Sequence, residues 1–598
     1  MKILFVDNLL LKQENSIREM ELQPHLGLIS LIAVLRKEGY DAGLYDPKLA
    51  IARGDLHIDE DLYRHIATAL LLQEPDVLGF TSLGCNFICT LKIAGYVRRQ
   101  RPALPILLGG PHATVLHREI MTAFTEFDVI VRNEAEGKIV AVVRALPGVG
   151  PTKAGLSTGA LHQIEGVTFR DNDTIIATSG ATTIKDLSTL PFPAYDAYPI
   201  PRLHLRKLRV EAGRGCPFSC TFCSTASFFG RSYRLKPAAA LIAELDYLSS
   251  TYGIREFGLS HDLFTVNAAK VLEFCREVTP KKYKWSCSAR MDCVDKQLLT
   301  AMKKAGCTSI FYGIETGSRE MQRISKKKLD LSLFHDTLRN TLRLGIKPTL
   351  SFIAGYPEET KQHLDDTLDL IAACYGHRSK IEINLQLHLL TPEPGTALIM
   401  EHKDKLRYDN YITDFNFPTL EEDDPEIMQR NPDIFMNHHY YASILPRRMY
   451  IMTTSLFGAL RPLGSSVMRY LLGFYHGSLA ALNDEVYAWA DTNSITIDVF
   501  LRYLAERFGA GSLMLSLAKW RYEIDRLKGR LFMGELRTVF STLENIHACP
   551  ELLEMLDEGK KIPRRLLDRR EDLIIEVRQN SHGQCKVETC YIGEKTFS

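Results

Sequence analysis

The chain has no excess of either charge, no long apolar run and no regular pairing of cysteines. Its 598 residues carry 73 basic and 72 acidic side chains, so the totals contain no basic footprint of the kind that binds nucleic acid. No uncharged stretch reaches the roughly 18–20 residues that a membrane-spanning helix needs, and the apolar run after Met1 is too short for a signal peptide. We therefore expect no nucleic acid partner and no transmembrane segment.

Cysteine usage points to a reducing environment. The 13 cysteines are an odd number and most stand alone, which argues against a disulfide framework and for a cytoplasmic location. The exception is Cys216, Cys220 and Cys223, spaced C-x3-C-x2-C directly after a strand-like stretch. Tight cysteine runs wrap iron–sulfur clusters, and three thiolates leave one iron of a 4Fe-4S cluster open for chemistry. The alternative is a zinc site completed by a histidine such as His204 or His261, although zinc loops usually pair their cysteines two by two.

The length predicts two to four domains, and residues 1–145 form the first. Apolar strands are predicted at 2–8, 41–47, 76–82, 105–110 and 128–133, with helical patterns between them. This alternation indicates right-handed crossovers and a doubly wound parallel sheet of flavodoxin or Rossmann type. Ligands of such sheets bind beyond the carboxyl ends of the strands. The loops at those ends supply the candidate cofactor residues Thr81, Ser82, Leu83, Gly109, Gly110, His112 and Glu134.

Three segments of this region, at 24–28, 74–82 and 108–114, resemble the cobalamin-binding domain that is fused to many radical S-adenosylmethionine (SAM) enzymes. No histidine follows Asp7 in the loop after the first strand, so the resemblance implies cobalamin without a protein histidine on cobalt. The family's Gly-Glu-Gly-Glu turn after the fifth strand is here Asn133-Glu134-Ala135-Glu136, and a different turn is expected. The alternative is a domain that keeps the fold without the corrinoid.

Residues 146–207 are predicted to be a connector with a small hairpin around Asn172, and residues 208–400 a second α/β domain. Six strand-and-helix repeats in this domain suit a partial (β/α)6 barrel, whose site lies at the carboxyl ends of its strands. The cysteine loop that follows its first strand, with Phe222 before the last cysteine, resembles the signature of radical SAM enzymes. In that family the open iron takes the amino and carboxylate groups of SAM.

The resemblance spans 208–396 and implies further SAM contacts. Glu315 matches the segment that contacts the SAM ribose, although a charge at a helix start would also explain it. Arg290 could pair with the SAM carboxylate or with a neighbouring acid. Ser260 ends the second strand and is expected to face the same cavity. Tyr356 lies in a turn that resembles the one beside the adenine.

Two cofactors in one chain imply a cobalamin-dependent radical SAM methyltransferase that moves a methyl group through methylcobalamin to an unactivated carbon. The runner-up is an oxidative cyclase, because the segment 218–237 resembles the anaerobic magnesium-protoporphyrin monomethyl ester cyclase branch. The non-enzymatic alternative is a corrinoid-binding sensor. An external electron donor of flavodoxin or ferredoxin type and a small-molecule or peptide substrate are implied. Residues 401–598 are expected to form a mostly helical cap that contacts the substrate, and no acid–base catalyst is identified.

Overall fold

The computed structural model describes most of the chain. The described residues are 1–9, 22–146, 158–180, 183–409, 411, 420–532, 538–547, 549–558, 560, 562–563, 566, 570–579 and 585–591. Clustering of contacts divides them into two compact units. The first comprises Met1–Gly313, Arg323–Pro348 and Leu390–Ala442, and the second comprises Ile314–Gln322, Thr349–Leu389 and Ser443–Ser598.

The amino-terminal sheet lies in the first unit and has seven strands in the order β2-β1-β3-β4-β5-β6-β7. The strands are β1 (Lys2–Val6), β2 (Asp41–Tyr45), β3 (Val77–Thr81), β4 (Ile106–Gly109), β5 (Val129–Val131), β6 (Val167–Asp171) and β7 (Thr174–Ala177). The helices around them are α1 (Leu26–Lys37), α2 (Pro47–Ala52), α3 (Leu62–Leu71), α4 (Phe87–Gln100), α5 (Pro111–Val115), α6 (His117–Ala123), α7 (Ile139–Arg144) and α8 (Thr158–Leu161).

Strands β1 to β5 pair in parallel, as predicted. Every residue of β3 is buried, which explains why this central strand is a continuous apolar run in the sequence. The hairpin β6–β7 also forms as predicted, but it pairs antiparallel with β5 and extends the sheet. The order β2-β1-β3 puts the topological switch point between β1 and β3, where ligands of such sheets bind.

The second α/β region contains all six strands predicted for the partial barrel. The strands along this stretch are β8 (Lys207–Glu211), β9 (Gly213–Arg214), β10 (Arg234–Leu235), β11 (Glu256–Ser260), β12 (Lys284–Ala289), β13 (Cys307–Glu315), β14 (Lys347–Ala354) and β15 (Asn384–Leu389). The helices are α9 (Thr225–Phe229), α10 (Ala238–Tyr252), α11 (Ala268–Val278), α12 (Lys296–Lys304), α13 (Arg319–Ile324), α14 (Phe334–Arg343) and α15 (Lys361–Tyr375).

Within the first unit, β8 pairs in parallel with β11, β11 with β12, and β12 with β13. Within the second unit, β14 and β15 form a parallel pair. Two short strands that the sequence did not predict, β9 and β10, pair antiparallel on either side of the cysteine loop. The cysteine loop therefore begins and ends at fixed backbone positions.

The remaining chain is mostly helical, as predicted. Its helices are α16 (Ala397–His402), α17 (Asp424–Arg430), α18 (Arg447–Leu460), α19 (Gly464–Gly473), α20 (Leu479–Trp489), α21 (Ile497–Phe508), α22 (Leu513–Phe532) and α23 (Cys549–Glu558). It also contains strands that were not predicted: β16 (Leu406–Tyr408), β17 (His439–Tyr441), β18 (Thr538–His547), β19 (Arg570–Gln579) and β20 (Cys585–Tyr591). The last three form an antiparallel sheet. Within the described part of the chain, no helix has the length and apolar character to cross a membrane. The boundaries of the four segments expected from the sequence stay predictions.

Candidate functional site

A cavity of about 270 Å³ lies at the switch point of the first sheet. Its walls are mostly apolar and come from the carboxyl ends of β1, β3, β4 and β5 and from α1. Five of the candidate cofactor residues line it: Thr81, Leu83, Gly109, Gly110 and Glu134. The volume is close to the lower end of ordinary small-molecule sites, so the cavity fits one apolar portion of a large cofactor.

Glycines keep this cavity open. Gly110 has φ +96°, and a Cβ there would lie 2.6 Å from the carbonyl oxygen of Ser82. A Cβ on Gly79 would lie 2.6 Å from the ring of Phe5. Both positions therefore require glycine, because a side chain would force the neighbouring strands or loops apart. The mostly apolar lining and the space left by these glycines fit the apolar part of a corrinoid.

The turn after β5 differs from the family's glycine turn as expected. Asn133 takes the glycine's place and adopts φ +57°, a left-handed conformation that asparagine tolerates better than most residues. The Nδ2 group of Asn133 donates a hydrogen bond of 2.8 Å to the carbonyl of Phe228 in α9. Asn133 thus accommodates the left-handed turn, and its side chain contacts the helix that follows the cysteine loop.

A buried ion network joins the same turn to the strand before the cysteine loop. Arg214 lies two residues before Cys216, and its guanidinium donates to Glu134 at 2.8 Å and to Glu136 at 2.6 Å. It also donates to Glu211 at 2.7 Å. Burial alone would raise the pKa of Glu136, but the Arg214 charge and hydrogen bonds hold that pKa below its ordinary value. Charged groups this deep are stable only when paired and hydrogen-bonded.

The carboxylate of Glu134 is shared further. It accepts hydrogen bonds from the Arg234 guanidinium at 2.9 Å and from the backbone N–H of Ile184 at 2.7 Å. Glu134 therefore lines the cavity, but its oxygens bind protein donors. Its predicted cofactor contact stays a prediction.

The cysteine loop is anchored at its start, middle and end. The Asp262 carboxylate accepts from the backbone N–H of Gly215 at 2.9 Å and from the Thr225 hydroxyl at 3.2 Å, so it ties both ends together. In the middle, the N–H of Thr221 donates to the carbonyl of Ser325 at 2.8 Å. Cys216, Cys220 and Cys223 form no disulfide among the described residues and are of intermediate exposure in this loop.

The arrangement fits a cluster better than zinc. The Nδ1 atom of His261 accepts from the N–H of Leu263 at 2.7 Å, and its Nε2 faces the carbonyl of Arg234 at 3.2 Å. His204 is exposed before the start of β8, whereas the cysteines follow the other end of that strand. Neither histidine is placed to complete a zinc site, and the three thiols with their fixed backbone suit an iron–sulfur cluster.

Arg290 already has a carboxylate partner. Its guanidinium makes two hydrogen bonds with Asp292, at 2.9 and 2.7 Å, and a third with the carbonyl of Lys327 at 2.8 Å. It also lies 4.1 Å from the ring centre of Phe218 inside the cysteine loop. The geometry favours the neighbouring-acid alternative, and the predicted contact with SAM stays a prediction.

The other candidate residues are placed as follows. Ser260 ends β11 and is half-buried, and Phe222 is half-buried in the cysteine loop. Ser82 and His112 are buried but do not line the cavity. Burial lowers the pKa of His112 to about 3, so this imidazole is neutral, and neither ring nitrogen has a hydrogen-bond partner among the described residues.

Two candidates for SAM binding lie in the second unit. Glu315 has φ +68° and is 8% exposed at the end of β13. Tyr356 is 1% exposed in the turn after β14, where burial raises the pKa of Glu359 to about 7. Their assignments to the ribose and the adenine stay predictions.

The positioning roles of Asn133, Arg214 and Asp262 were not identified from the sequence. For Arg214, the one signal in the sequence was its place directly before Gly215 and Cys216 of the cysteine loop. Its partners Glu134 and Glu136 are 80 and 78 positions away along the chain. No local pattern reveals contacts of that range.

Comparisons with known proteins agree with the site. The family model of the B12 binding domain matches residues 21–143, and that of the radical SAM superfamily matches residues 210–371. An uncharacterized methyltransferase of Pyrococcus horikoshii is 27% identical over 383 residues, which cover 63% of this chain and 77% of the relative. The anaerobic magnesium-protoporphyrin IX monomethyl ester cyclase of Cereibacter sphaeroides is 29% identical over 378 residues, covering 61% of this chain and 59% of the cyclase.

Two solved structures share the fold. The cobalamin-dependent SAM radical enzyme OxsB superposes with a TM-score of 0.57 at 14% identity, covering 93% of this chain and 84% of OxsB. The radical SAM methyltransferase TsrM from Kitasatospora setae superposes with a TM-score of 0.56 at 15% identity, covering 74% of this chain and 86% of TsrM. The predicted fold and the three predicted cofactors, a 4Fe-4S cluster, SAM and cobalamin, are thereby confirmed. The chain therefore carries a B12-binding domain and a radical SAM domain, and it shares its fold with two cobalamin-dependent or radical SAM enzymes of known structure.

Proposed function

We propose that this enzyme moves a methyl group from SAM, by way of cobalamin, to an unactivated carbon of a natural-product or peptide substrate. The observation that carries the proposal is the joint lining of one cavity. Loops of the B12-binding domain form most of it, and Arg214, Phe228 and Phe229, which flank the cysteine loop, complete it. A cluster on that loop and a corrinoid in the cavity would be neighbours.

The residues divide the work as follows. Cys216, Cys220 and Cys223 would hold the cluster, and the glycine-lined cavity would hold part of the corrinoid. When bound, the cluster supplies the electron that cleaves SAM and the corrinoid supplies a nucleophilic cobalt that carries a methyl group. The aromatic side chains of Phe228 and Phe229 shield the cavity from water, which protects reactive groups and strengthens polar contacts. Phe222, Ser260, Arg290, Glu315 and Tyr356 are the proposed SAM contacts.

We also propose the cellular compartment of the enzyme and the type of its electron donor. Three cluster thiolates need a reducing compartment, which supports a cytoplasmic location. Reduction of the cluster needs an external electron donor of flavodoxin or ferredoxin type.

The second candidate is a radical SAM cyclase that does not transfer methyl groups. The specific observation in its favour is the 29% identity to the magnesium-protoporphyrin ester cyclase over 61% of this chain. A corrinoid-binding sensor is the non-enzymatic alternative. Three cysteines within one anchored loop, none of them in a disulfide among the described residues, argue for a working cluster instead.

The test is an anaerobic label transfer. The protein is reconstituted with iron, sulfide and hydroxocobalamin, then given reductant and methyl-deuterated SAM. Mass spectrometry follows label on the corrinoid, S-adenosylhomocysteine and 5′-deoxyadenosine. Label on the corrinoid is the expected result. Deoxyadenosine without corrinoid label would favour the cyclase, and corrinoid binding without either product would favour the sensor.

A matched pair of cysteine variants separates the cluster from the corrinoid. Cys220→Ala should lose cluster iron and SAM cleavage but keep corrinoid binding. Cys585→Ala removes another thiol of intermediate exposure, in the second unit, and should keep all three. If Cys220→Ala retained its iron, the cluster assignment would be wrong.

A further inference from the structure

Asn133 makes contacts on two sides of the cavity. Its backbone N–H donates to the hydroxyl of Thr114 in α5 at 2.9 Å. Its Nδ2 group donates to the carbonyl of Phe228 in α9 at 2.8 Å. Asn133 and Phe228 both line the cavity. A single residue therefore links the cofactor loop of the first sheet to the helix that begins two residues after Cys223.

The next residues of the same turn hold the other side of the cysteine loop. Glu134 and Glu136 bind Arg214, which lies before Cys216. Glu134 also binds Arg234 of β10 at 2.9 Å. The turn thus has a bond to the chain before the first cysteine and another to the chain after the last cysteine.

The hydrogen bond to Phe228, on the side after the last cysteine, requires the asparagine side chain. A left-handed residue at this position can be glycine at no steric cost, but glycine has no donor for Phe228. Helix α9 has five residues, so its internal hydrogen bonds are few. The Asn133 donor holds one of its last carbonyls, whereas Asp262 holds Thr225 at its start, so the two ends of the helix are fixed by different contacts.

We infer that Asn133 is a positioning residue, which sets the place of α9, and with it the cysteine loop, relative to the corrinoid cavity. The inference rests on the proposed function, in which the cluster and the corrinoid act on the same cavity. Asn133 takes no part in bond making. Its contribution is alignment, and alignment controls how often SAM cleavage and methyl transfer are productive together.

The test compares Asn133→Gly with Asn172→Gly. Both asparagines are left-handed, with φ +57° and +53°, so both replacements relax the backbone in the same way. Asn172 is exposed in the β6–β7 turn, and among the described residues its side chain bonds to neighbouring Asp171 alone, at 3.5 Å. The control therefore reports the effect of replacing a left-handed asparagine by glycine without the loss of a hydrogen bond to α9.

Three readouts are taken on the reconstituted proteins. Hydrogen exchange of residues 225–229 should be several-fold faster in Asn133→Gly than in the control, since one hydrogen bond contributes up to about tenfold in an equilibrium. The EPR interaction between the reduced cluster and paramagnetic cobalt should change, while iron and corrinoid contents stay equal. The ratio of labelled corrinoid to deoxyadenosine should fall three- to tenfold.

Two outcomes of the comparison would overturn the inference. If Asn133→Gly matches Asn172→Gly in exchange and EPR, Asn133 is only a turn residue. If it loses iron or corrinoid, its role is in folding the site. If the unmodified protein transfers no methyl label, the proposed function fails, and the exchange and EPR comparisons still decide the role of Asn133.

Discussion

The buried carboxyl of Glu359 gives the enzyme a pH-dependent stability that one substitution should remove. Glu359 is 0% exposed in the turn after β14, and one oxygen accepts a 2.7 Å hydrogen bond from the N–H of Gly355. Burial raises its pKa from 4.5 to about 7. The folded protein therefore binds this proton more tightly than the unfolded chain does. Stability is full below about pH 4.5 and falls as the pH rises through about 7.

The magnitude follows from the shift. The pKa rises by about 2.5 units, from 4.5 to about 7, and each unit corresponds to about 1.4 kcal/mol. Ionisation in place would thus cost up to about 3 kcal/mol above pH 8. Glu359→Gln keeps an oxygen for the Gly355 N–H but cannot ionise. About 1.4 kcal/mol of this stability is already lost at pH 5.5, so relative to the unmodified protein the variant should gain about 2 kcal/mol between pH 5.5 and pH 8.

The assay is urea unfolding at both pH values. Tryptophan fluorescence is a suitable probe, because Trp489 and Trp520 lie in the same unit as Glu359. Glu554→Gln, at an exposed position of α23, is the control for losing one carboxyl. A stability difference between Glu359→Gln and the unmodified protein that does not change with pH would refute the reasoning.

Two further predictions concern the first unit. Arg214→Met leaves the buried Glu136 carboxylate without its cation and Glu134 with Arg234 as its remaining cation, so it should cost about 3–5 kcal/mol at pH 8. The stability difference between Arg214→Met and the unmodified protein should narrow at pH 5, because the charge and hydrogen bonds of Arg214 help to hold the pKa of Glu136 below its ordinary value. Adding E136Q, which removes the stranded carboxylate, should restore part of the loss in urea unfolding. Gly110→Ala should weaken corrinoid binding at least tenfold by absorbance titration, because its φ is +96° and its Cβ would meet Ser82. Gly39→Ala, at φ +84° with no atom within 4 Å, should bind as well as the unmodified protein, and equal losses in both variants would show that the effect is backbone strain alone.

The strands were predictable because each is a short apolar run between polar or glycine-containing segments. The core of the first sheet is built from those runs, including Ile3, Phe5, Val77 and Val129. Pairing was harder to predict. The hairpin β6–β7 was identified, but its place against β5 depends on a contact between distant segments. Strands β9 and β10 have two residues each, which is too short for any periodicity to show.

The candidate site likewise contains residues that could be predicted from local pattern and residues that could not. The cysteines could be identified because the three lie within eight consecutive residues and their spacing is itself the signal. The residues that fix the loop could not, since each acts over a long separation in sequence. Asp262 reaches Gly215 across 47 positions, and Thr221 reaches Ser325 across 104. An aspartate and a threonine at those places carry no distinguishing local pattern.

Long-range contacts explain how the cysteine loop can lack regular secondary structure and still have a defined position. Its cysteines lie outside any long helix or strand, so local structure does not fix where the sulfur atoms point. Fixation comes from separate bonds: Asp262 at the two ends, Ser325 in the middle, and Arg214 on the strand before it. A neutral hydrogen bond contributes about 1 kcal/mol net, so loss of one such bond should loosen the loop without unfolding the unit. Loss of Arg214 is different, because it leaves charges buried. Protein contacts therefore hold the loop at both ends and in the middle, and the ion network at Arg214 is its least replaceable anchor.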